Sequence, residues 1–299
     1  MIYITGNKGF IAHHLTEELI NNGYTVTGAD IKDIYNTDYR KKGVALSEFA
    51  THKPEMVIHN AAQVGRLLGE YDCGYTIESN ALMTTHVAQS CRELNIPMVY
   101  LSTSEVYGDQ GKHICFEGGP MTIPHNLYGL TKRWGEEVSV LYCNKLQIIR
   151  LCMPFGIGQS AGIGKAAIIN FIYNAMNGLP VIVHKDSGRS WCWVKDTVKG
   201  IRMVIESGER LTSKEDYKKG VGIYNISRTD NFTSMLSVAE LACDISGASR
   251  ELIQMIDAPK NQTKIKILLN KKITDMGWAA KTNMKEGMEI IYEKLKIDP

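Results

Sequence analysis

The sequence predicts an α/β fold, a doubly wound parallel sheet of the Rossmann type carrying a smaller mixed α/β lobe. Two features point there. Short β-branched runs alternate with amphipathic helical patterns through the first half, as parallel strands and crossover helices do, and a glycine turn joins the first such strand to the first such helix. After about Pro154 the alternation loosens, with no repeat and no low-complexity linker, so the second lobe reads as grafted onto the first.

In order, Ile2 to Thr5 reads as a strand, Phe10 to Asn22 as a helix, and Tyr24 to Ala29 and Met56 to His59 as strands. Ile77 to Leu94 is helical, Met98 to Ser102 a strand, Leu127 to Asn144 a long helix and Gln147 to Cys152 a strand. A stretch bearing Gly156, Gly158, Gly162 and Gly164 leads into a helix from Ala166 to Asn177. Val181 to His184, Arg189 to Val194 and Ile223 to Ile226 read as strands, and Met284 to Leu295 as a closing helix. The expected division is a dinucleotide-binding domain of 1–154 plus 192–227 and a substrate lobe of 155–191 plus 228–299.

Bulk composition narrows the class. The 299 residues are 44% hydrophobic and 22% charged, near the averages for globular proteins, and suffice for one large or two fused domains. A net charge of +2 without a basic block gives no case for nucleic acid or a membrane surface. No apolar run reaches the roughly 18 residues of a membrane helix, and no basic leader precedes Ile2. The seven cysteines form no Cys-x-x-Cys pair, so neither a metal site nor a disulfide framework is expected and the cytoplasm is the expected compartment.

Thr5-Gly6-Asn7-Lys8-Gly9-Phe10-Ile11-Ala12 stands between the first strand and first helix. Gly6 would allow the sharp turn, Gly9 the approach of a pyrophosphate, and Ala12 close packing of the helix, whose amino terminus offers N–H groups to phosphate. Asp30 ends the second strand, where a carboxylate can accept from an adenosine ribose and repel a 2′-phosphate; NAD is favoured, although Lys32 and Arg40 could serve NADP. Ala61 and Ala62 leave room for a cofactor at the sheet edge, and His59 before them reads as structural.

Ser102-Thr103-Ser104-Glu105-Val106-Tyr107-Gly108 follows a strand, and Tyr128-Gly129-Leu130-Thr131-Lys132 opens a helix. Tyr128 and Lys132, four apart, share one helical face. An ammonium there lowers the phenol's pKa and can hold a nicotinamide ribose, so the tyrosine can exchange a proton with a sugar hydroxyl near neutral pH.

On these residues, with Asn80, Arg150 to Gln159, Arg189 to Asp196, Tyr224-Asn225-Ile226 and Gly277-Trp278, the chain resembles the extended short-chain dehydrogenase/reductases. Within that group it is similar to the nucleotide-sugar epimerases, dehydratases and decarboxylases. The resemblance implies NAD as cofactor, held by Gly6, Gly9, Phe10, Ile11, Asp30, Ala61, Ala62, Asn80, Tyr128 and Lys132. It implies a nucleotide-diphosphate sugar as substrate, contacted by Asn170 and Arg189. Thr103 would bond the reacting hydroxyl, Tyr128 would remove its proton, and the C4 hydride would pass to NAD.

The resulting 4-keto sugar can be reduced from the other face, lose water across C5 and C6, or lose carbon dioxide from a C6 carboxylate. The Thr103-Ser104-Glu105 triplet resembles that of 4,6-dehydratases, in which Glu105 would take the C5 proton and Ser104 assist the leaving hydroxyl. It also occurs in UDP-glucuronate decarboxylases. A 4,6-dehydratase is the expectation, with decarboxylase and 4-epimerase as alternatives; a simple carbonyl reductase and a non-catalytic NAD-binding regulator are the rivals. The family's usual asparagine two residues before Phe155 is Met153 here, and an arginine often found near Pro259 is replaced by Lys264 or Lys266. The resemblance also implies a homodimer through Ile77 to Leu94 and Leu127 to Asn144.

Overall fold

A computed structural model describes residues 1–34, 36–162, 166–228 and 232–297; Gly164 of the glycine stretch lies outside them. The first half runs β1 (Ile2–Thr5), α1 (Phe10–Asn21), β2 (Val26–Ala29), α2 (Val44–His52), β3 (Met56–His59), α3 (Arg66–Tyr71), α4 (Cys73–Ile77), α5 (Met83–Glu93), β4 (Met98–Thr103), β5 (Ile114–Cys115) and α6 (Leu127–Tyr142). Next come β6 (Leu146–Leu151), β7 (Pro154–Phe155), α7 (Ala167–Met176), β8 (Val181–His184), β9 (Gly188–Ser190), β10 (Cys192–Trp193), α8 (Val194–Ser207), α9 (Lys214–Lys219) and β11 (Ile223–Ile226). The chain closes with β12 (Phe232–Ser234), α10 (Met235–Ser246), β13 (Ile253–Ile256), β14 (Ile265–Leu268), α11 (Lys271–Asp275) and α12 (Met284–Ile297).

Six strands form a parallel sheet in the order β11-β6-β4-β3-β1-β2. The chain steps from β1 to one side for β2 and crosses to the other for β3, which opens a crevice at the carboxyl ends of β1 and β3. Ligands of open α/β sheets bind at such a switch point. One core covers one face, where Ile2, Ile4, Ile58 and Ile149 meet Leu15 of α1 and Val198, Ile201 and Val204 of α8. The other face carries Tyr3, Val57, Tyr100 and Ile148 against Phe49 of α2 and Val87 of α5. Strand residues buried on both faces explain why these strands read as continuous apolar runs.

A separate core lies in the second lobe, where Ile168, Phe171 and Ile172 of α7 pack with Val238 and Ala242 of α10 and Met288 and Ile291 of α12. Ile273 and Trp278, assigned by sequence to that lobe, pack instead into the first core. The lobe's sheets are small: β12-β9-β14-β5, β10-β7 and β13-β8.

Two expectations change. The strand expected over Arg189 to Val194 is two short strands, β9 and β10, and Val194 already begins α8. The helix expected from Ile77 begins earlier, at Cys73, where the Asp72 side chain accepts the Tyr75 N–H, and it widens into a π-turn over Glu78–Leu82 before α5.

Candidate active site

Four segments meet at the carboxyl ends of β1, β3 and β4. The glycine turn comes first. Gly6 has φ +68°, and a Cβ there would stand 2.7 Å from the Ala61 Cα, so only glycine fits between the two strand ends. Its carbonyl accepts from Asn60 Nδ2 at 3.0 Å and from the Gly9 N–H at 3.0 Å, which fixes the loop. No side chain caps α1 at Gly9, and the first intrahelical bond runs from the His13 N–H to the Gly9 carbonyl. The N–H groups of Phe10, Ile11 and Ala12 are therefore available to an anion. Phe10 and Ile11 are themselves half-buried against the first core. This cradle fits a dinucleotide pyrophosphate.

Asp30 is buried at the end of β2, and its Oδ1 accepts the Lys32 N–H at 2.9 Å, so it also caps its own loop. Its N–H donates to Asp33 Oδ2 at 2.6 Å, and Asp33 pairs with Lys8 of the glycine turn at 3.0 Å. Ala61 and Ala62 are half-buried beyond β3. Asn80, in the π-turn, is committed within the protein: Oδ1 accepts the Gln63 N–H at 2.8 Å, and Nδ2 donates to the Gln63 carbonyl and to Thr131 Oγ1.

His59 is wholly buried and structural. Thr84 donates its hydroxyl proton to the Asn80 carbonyl at 2.7 Å, so it accepts from His59 Nε2–H at 3.0 Å. His59 Nδ1 then accepts from Thr5 Oγ1 at 2.8 Å, and Thr5 accepts the Ala61 N–H. This relay needs a neutral ring, and burial, helped by the Lys132 charge, depresses the imidazole to about 3.

The Tyr128 side chain is half-buried, and its phenol lies near enough to the Thr103 hydroxyl to be pulled down by it, so these two predicted residues are neighbours. Gly129 lets α6 approach: a Cβ there would stand 3.1 Å from the Glu105 Cβ. Asn126 caps α6 by accepting the Gly129 N–H at 2.8 Å, and its Nδ2 donates to Glu105 Oε2 at 3.3 Å. Thr263, from the second lobe, donates to the same oxygen at 2.9 Å.

The expected acidification of Tyr128 is not what the structure shows. Burial pushes the phenol up to about 12; the Thr103 hydrogen bond pulls it down, and the Glu105 charge pushes it further up. Lys132 is itself buried and pushed down to about 7 by burial, against the opposing Glu136 charge. Burial disfavours the charged form of each group, the phenolate of Tyr128 and the ammonium of Lys132.

Three predicted residues have other neighbours. The Ser104 hydroxyl is buried beside the Cys152 thiol. Asn170 ties α7 to the glycine stretch, its amide bonding both the N–H and the carbonyl of Gly162. Arg189 is buried, with NH1 donating to the carbonyls of Gly188 and Lys264 and NH2 to that of Thr263.

Sequence reasoning missed the charge cluster under the site. Glu136, one turn beyond Lys132, is fully buried and pairs with Arg150 of β6 at 2.7 and 2.9 Å. Ser102 and Tyr217 donate to the same carboxylate at 2.5 and 2.8 Å, and the Arg150 guanidinium lies over the Tyr107 ring. The Tyr107 hydroxyl in turn donates to Asn225 Oδ1 at 2.9 Å. An i+4 glutamate after Lys132 on the same face was the available signal.

The chain is similar to several known proteins. UDP-glucuronic acid decarboxylase 6 of Arabidopsis thaliana is 24% identical over 318 residues, spanning 99% of this chain and 89% of its own. The Thermus thermophilus UDP-glucose 4-epimerase, solved with NAD, superposes with a TM-score of 0.87 at 21% identity over 100% of this chain and 99% of its own. The dTDP-glucose 4,6-dehydratase DesIV of Streptomyces venezuelae gives 0.86 at 20% identity over 99% and 97%. The model of the NAD dependent epimerase/dehydratase family matches residues 2–226, three-quarters of the chain, and the chain belongs to that family.

Proposed function

We propose that this protein acts on a nucleotide-diphosphate sugar through transient oxidation at C4, with loss of water across C5 and C6 as the outcome. The observation that carries the choice is Glu105, a carboxylate held through Oε2 by Asn126 and Thr263 and close enough to Tyr128 for its charge to raise the phenol.

NAD, when bound in the Gly6–Ala12 cradle, supplies the acceptor for the C4 hydride. Tyr128 takes the C4 hydroxyl proton while Thr103 orients the phenol, and Lys132 one turn away holds the ribose. With a ketone at C4 the C5 proton is acidic. Glu105 removes it, the electron pair forms the C5–C6 double bond and the C6 hydroxyl leaves with a proton as water; return of the hydride to C6 and of a proton to C5 then gives the 4-keto-6-deoxy sugar and closes the redox balance. Ser104, buried beside the Cys152 thiol, assists that departure. Arg189 and Asn170 act on the substrate through the segments they anchor, Thr263–Lys264 and the Gly162 loop.

A decarboxylase is the second reading, favoured by the Arabidopsis relative. Such a decarboxylase carries the same Thr-Ser-Glu triplet, and the product formed distinguishes the two readings. Incubation with UDP-, GDP- and dTDP-sugars in heavy water separates the outcomes. Solvent deuterium at C5 with loss of the C6 oxygen is expected; carbon dioxide from a uronate, or inversion at C4 alone, would overturn the dehydratase.

We assign a homodimer that pairs the face of the π-turn, α5 and α6, supported by exposed Leu82, Leu130, Leu141 and Trp134, the last 57% exposed. The domain division proposed from sequence is supported by the separate core of α7, α10 and α12. A cytoplasmic location is supported by seven free cysteines, six of them buried, and no helix among the described residues is long and apolar enough to cross a membrane.

A further inference from the structure

Glu105 is gripped from the opposite lobe. Thr263 lies between β13 and β14, is 1% exposed, and reaches across 158 residues of chain to donate its hydroxyl to Glu105 Oε2. Its backbone is fixed in turn. Arg189 donates to the carbonyls of Thr263 and Lys264, and the Gly188 N–H donates to the Lys264 carbonyl at 2.9 Å. Asn126 approaches the same Glu105 oxygen, yet at 3.3 Å and with its own carbonyl engaged in capping α6. Glu105 Oε1 has no hydrogen-bond partner among the described residues.

This asymmetry has a chemical meaning. A glutamate has three rotatable side-chain bonds, and its last torsion is broad. A donor at one oxygen selects a single orientation and leaves the other oxygen as the proton acceptor. Holding a reacting group in one geometry is a large part of what an enzyme contributes.

We propose that Thr263 is the positioning residue for Glu105, and that Arg189 acts on the reaction by holding Thr263 in place. The proposal rests on Glu105 being the base assigned above. The second lobe thereby completes the proton-transfer machinery of the first, while Thr103, Tyr128 and Lys132, all on the first, carry the oxidation.

The test uses the full chain with its cofactor and whichever nucleotide sugar the wild type turns over, in heavy water. Two signals are followed: absorbance of reduced cofactor, which reports C4 oxidation, and deuterium entering C5. Thr263→Val, nearly isosteric, should slow C5 exchange at least tenfold while oxidation stays within about twofold, so that reduced cofactor accumulates. Thr263→Ser, which keeps the hydroxyl, should restore exchange to within about threefold of wild type.

Unchanged exchange in Thr263→Val, beside abolished exchange in Glu105→Gln, would overturn the positioning role and leave the base intact. Exchange that survives Glu105→Gln would remove the base itself. Equal loss of both signals in Thr263→Val, unrepaired by serine, would show a merely structural hydroxyl. If the valine variant does not fold, Thr263→Ala with a melting curve is read by the same criteria.

Discussion

Tyr100 holds Lys132 from two sides. The lysine Nζ stands 4.1 Å from the centre of the Tyr100 ring, and the Tyr100 hydroxyl donates to the Lys132 carbonyl at 3.3 Å. A ring face attracts a cation, more strongly when both are desolvated. The clasp fixes where the side chain lies as α6 begins, four residues after Tyr128. Burial lowers the Lys132 amine, and the Glu136 charge, itself engaged with Arg150, opposes that shift.

A depressed lysine is a statement about stability. The Lys132 amine falls from 10.5 to about 7 on folding, so between those values the unfolded chain binds a proton that the native chain does not. Stability from this group is therefore present above the unfolded value and is lost as pH falls toward 7. In urea unfolding of cofactor-free protein between pH 7 and 9.5, the wild-type midpoint should rise with pH more steeply than that of Lys132→Met. Parallel curves would show that the amine is charged in the native state throughout.

Removing one partner of a fully buried ion pair strands the other. Arg150→Met leaves Glu136 with only the Ser102 and Tyr217 hydroxyls. The expected loss is about 3–5 kcal/mol in chemical denaturation, and the double variant Arg150→Met with Glu136→Met should recover much of it. A loss below about 1 kcal/mol in the single variant would mean that water reaches the carboxylate.

Much of this site was legible because its signals are local. The strands Ile2–Thr5, Met56–His59 and Val181–His184 fall on the expected residues, since each is a short apolar run bounded by breakers. Thr103 and Tyr128 meet because a strand end and a helix start were each recognisable. What was missed is long-range or unusually patterned. The α8 stripe of Val194, Val198, Ile201 and Ile205 was hidden behind the apolar run Trp191 to Val194, which has the look of a strand. The Arg150–Glu136 pair joins a strand to a helix; the i+4 spacing from Lys132 points to Glu136, but nothing in the spacing points to Arg150. The acidic phenol expected from Tyr-x-x-x-Lys failed for a general reason: sequence gives the neighbour's charge but not the burial that opposes it. The bonds from Arg189 to the carbonyls of residues 263 and 264 are long-range, so the sequence showed only its resemblance to a diphosphate ligand.

Gly6→Ala should damage cofactor binding more than folding elsewhere would suggest. The new Cβ meets backbone at 2.7 Å, which cannot swing aside, and φ +68° adds a penalty of about 1–2 kcal/mol for a residue with a Cβ. Gly23→Ala is the control, because it too has positive φ, +86°, but open space around it. NAD affinity measured by titration should fall more than tenfold in the first and stay near wild type in the second. Equal affinities would mean that the turn after β1 is not where the pyrophosphate sits.

The dimer face is open to a direct check. Trp134→Glu places a charge among the exposed apolar side chains of α6 and replaces none of the residues assigned to chemistry. The wild type should sediment as a dimer and the variant as a monomer with unchanged secondary structure; a wild-type monomer at micromolar concentration would remove the assignment.

The Thr103 hydroxyl is the one neighbour that pulls the Tyr128 phenol down. Thr103→Val removes that hydroxyl and leaves burial and the Glu105 charge, both of which push up, so the phenol should rise further. If the phenolate is the form that takes the C4 proton, the rate of cofactor reduction climbs with pH in the wild type, and the climb should shift to higher pH in the variant. Tyr128→Phe, with no phenol to titrate, should reduce cofactor about 10²–10⁴-fold more slowly and show no such climb. A Thr103→Val profile displaced to lower pH would contradict the sign of the hydrogen bond, and a Tyr128→Phe variant that oxidises substrate at the wild-type rate would take Tyr128 out of the reaction.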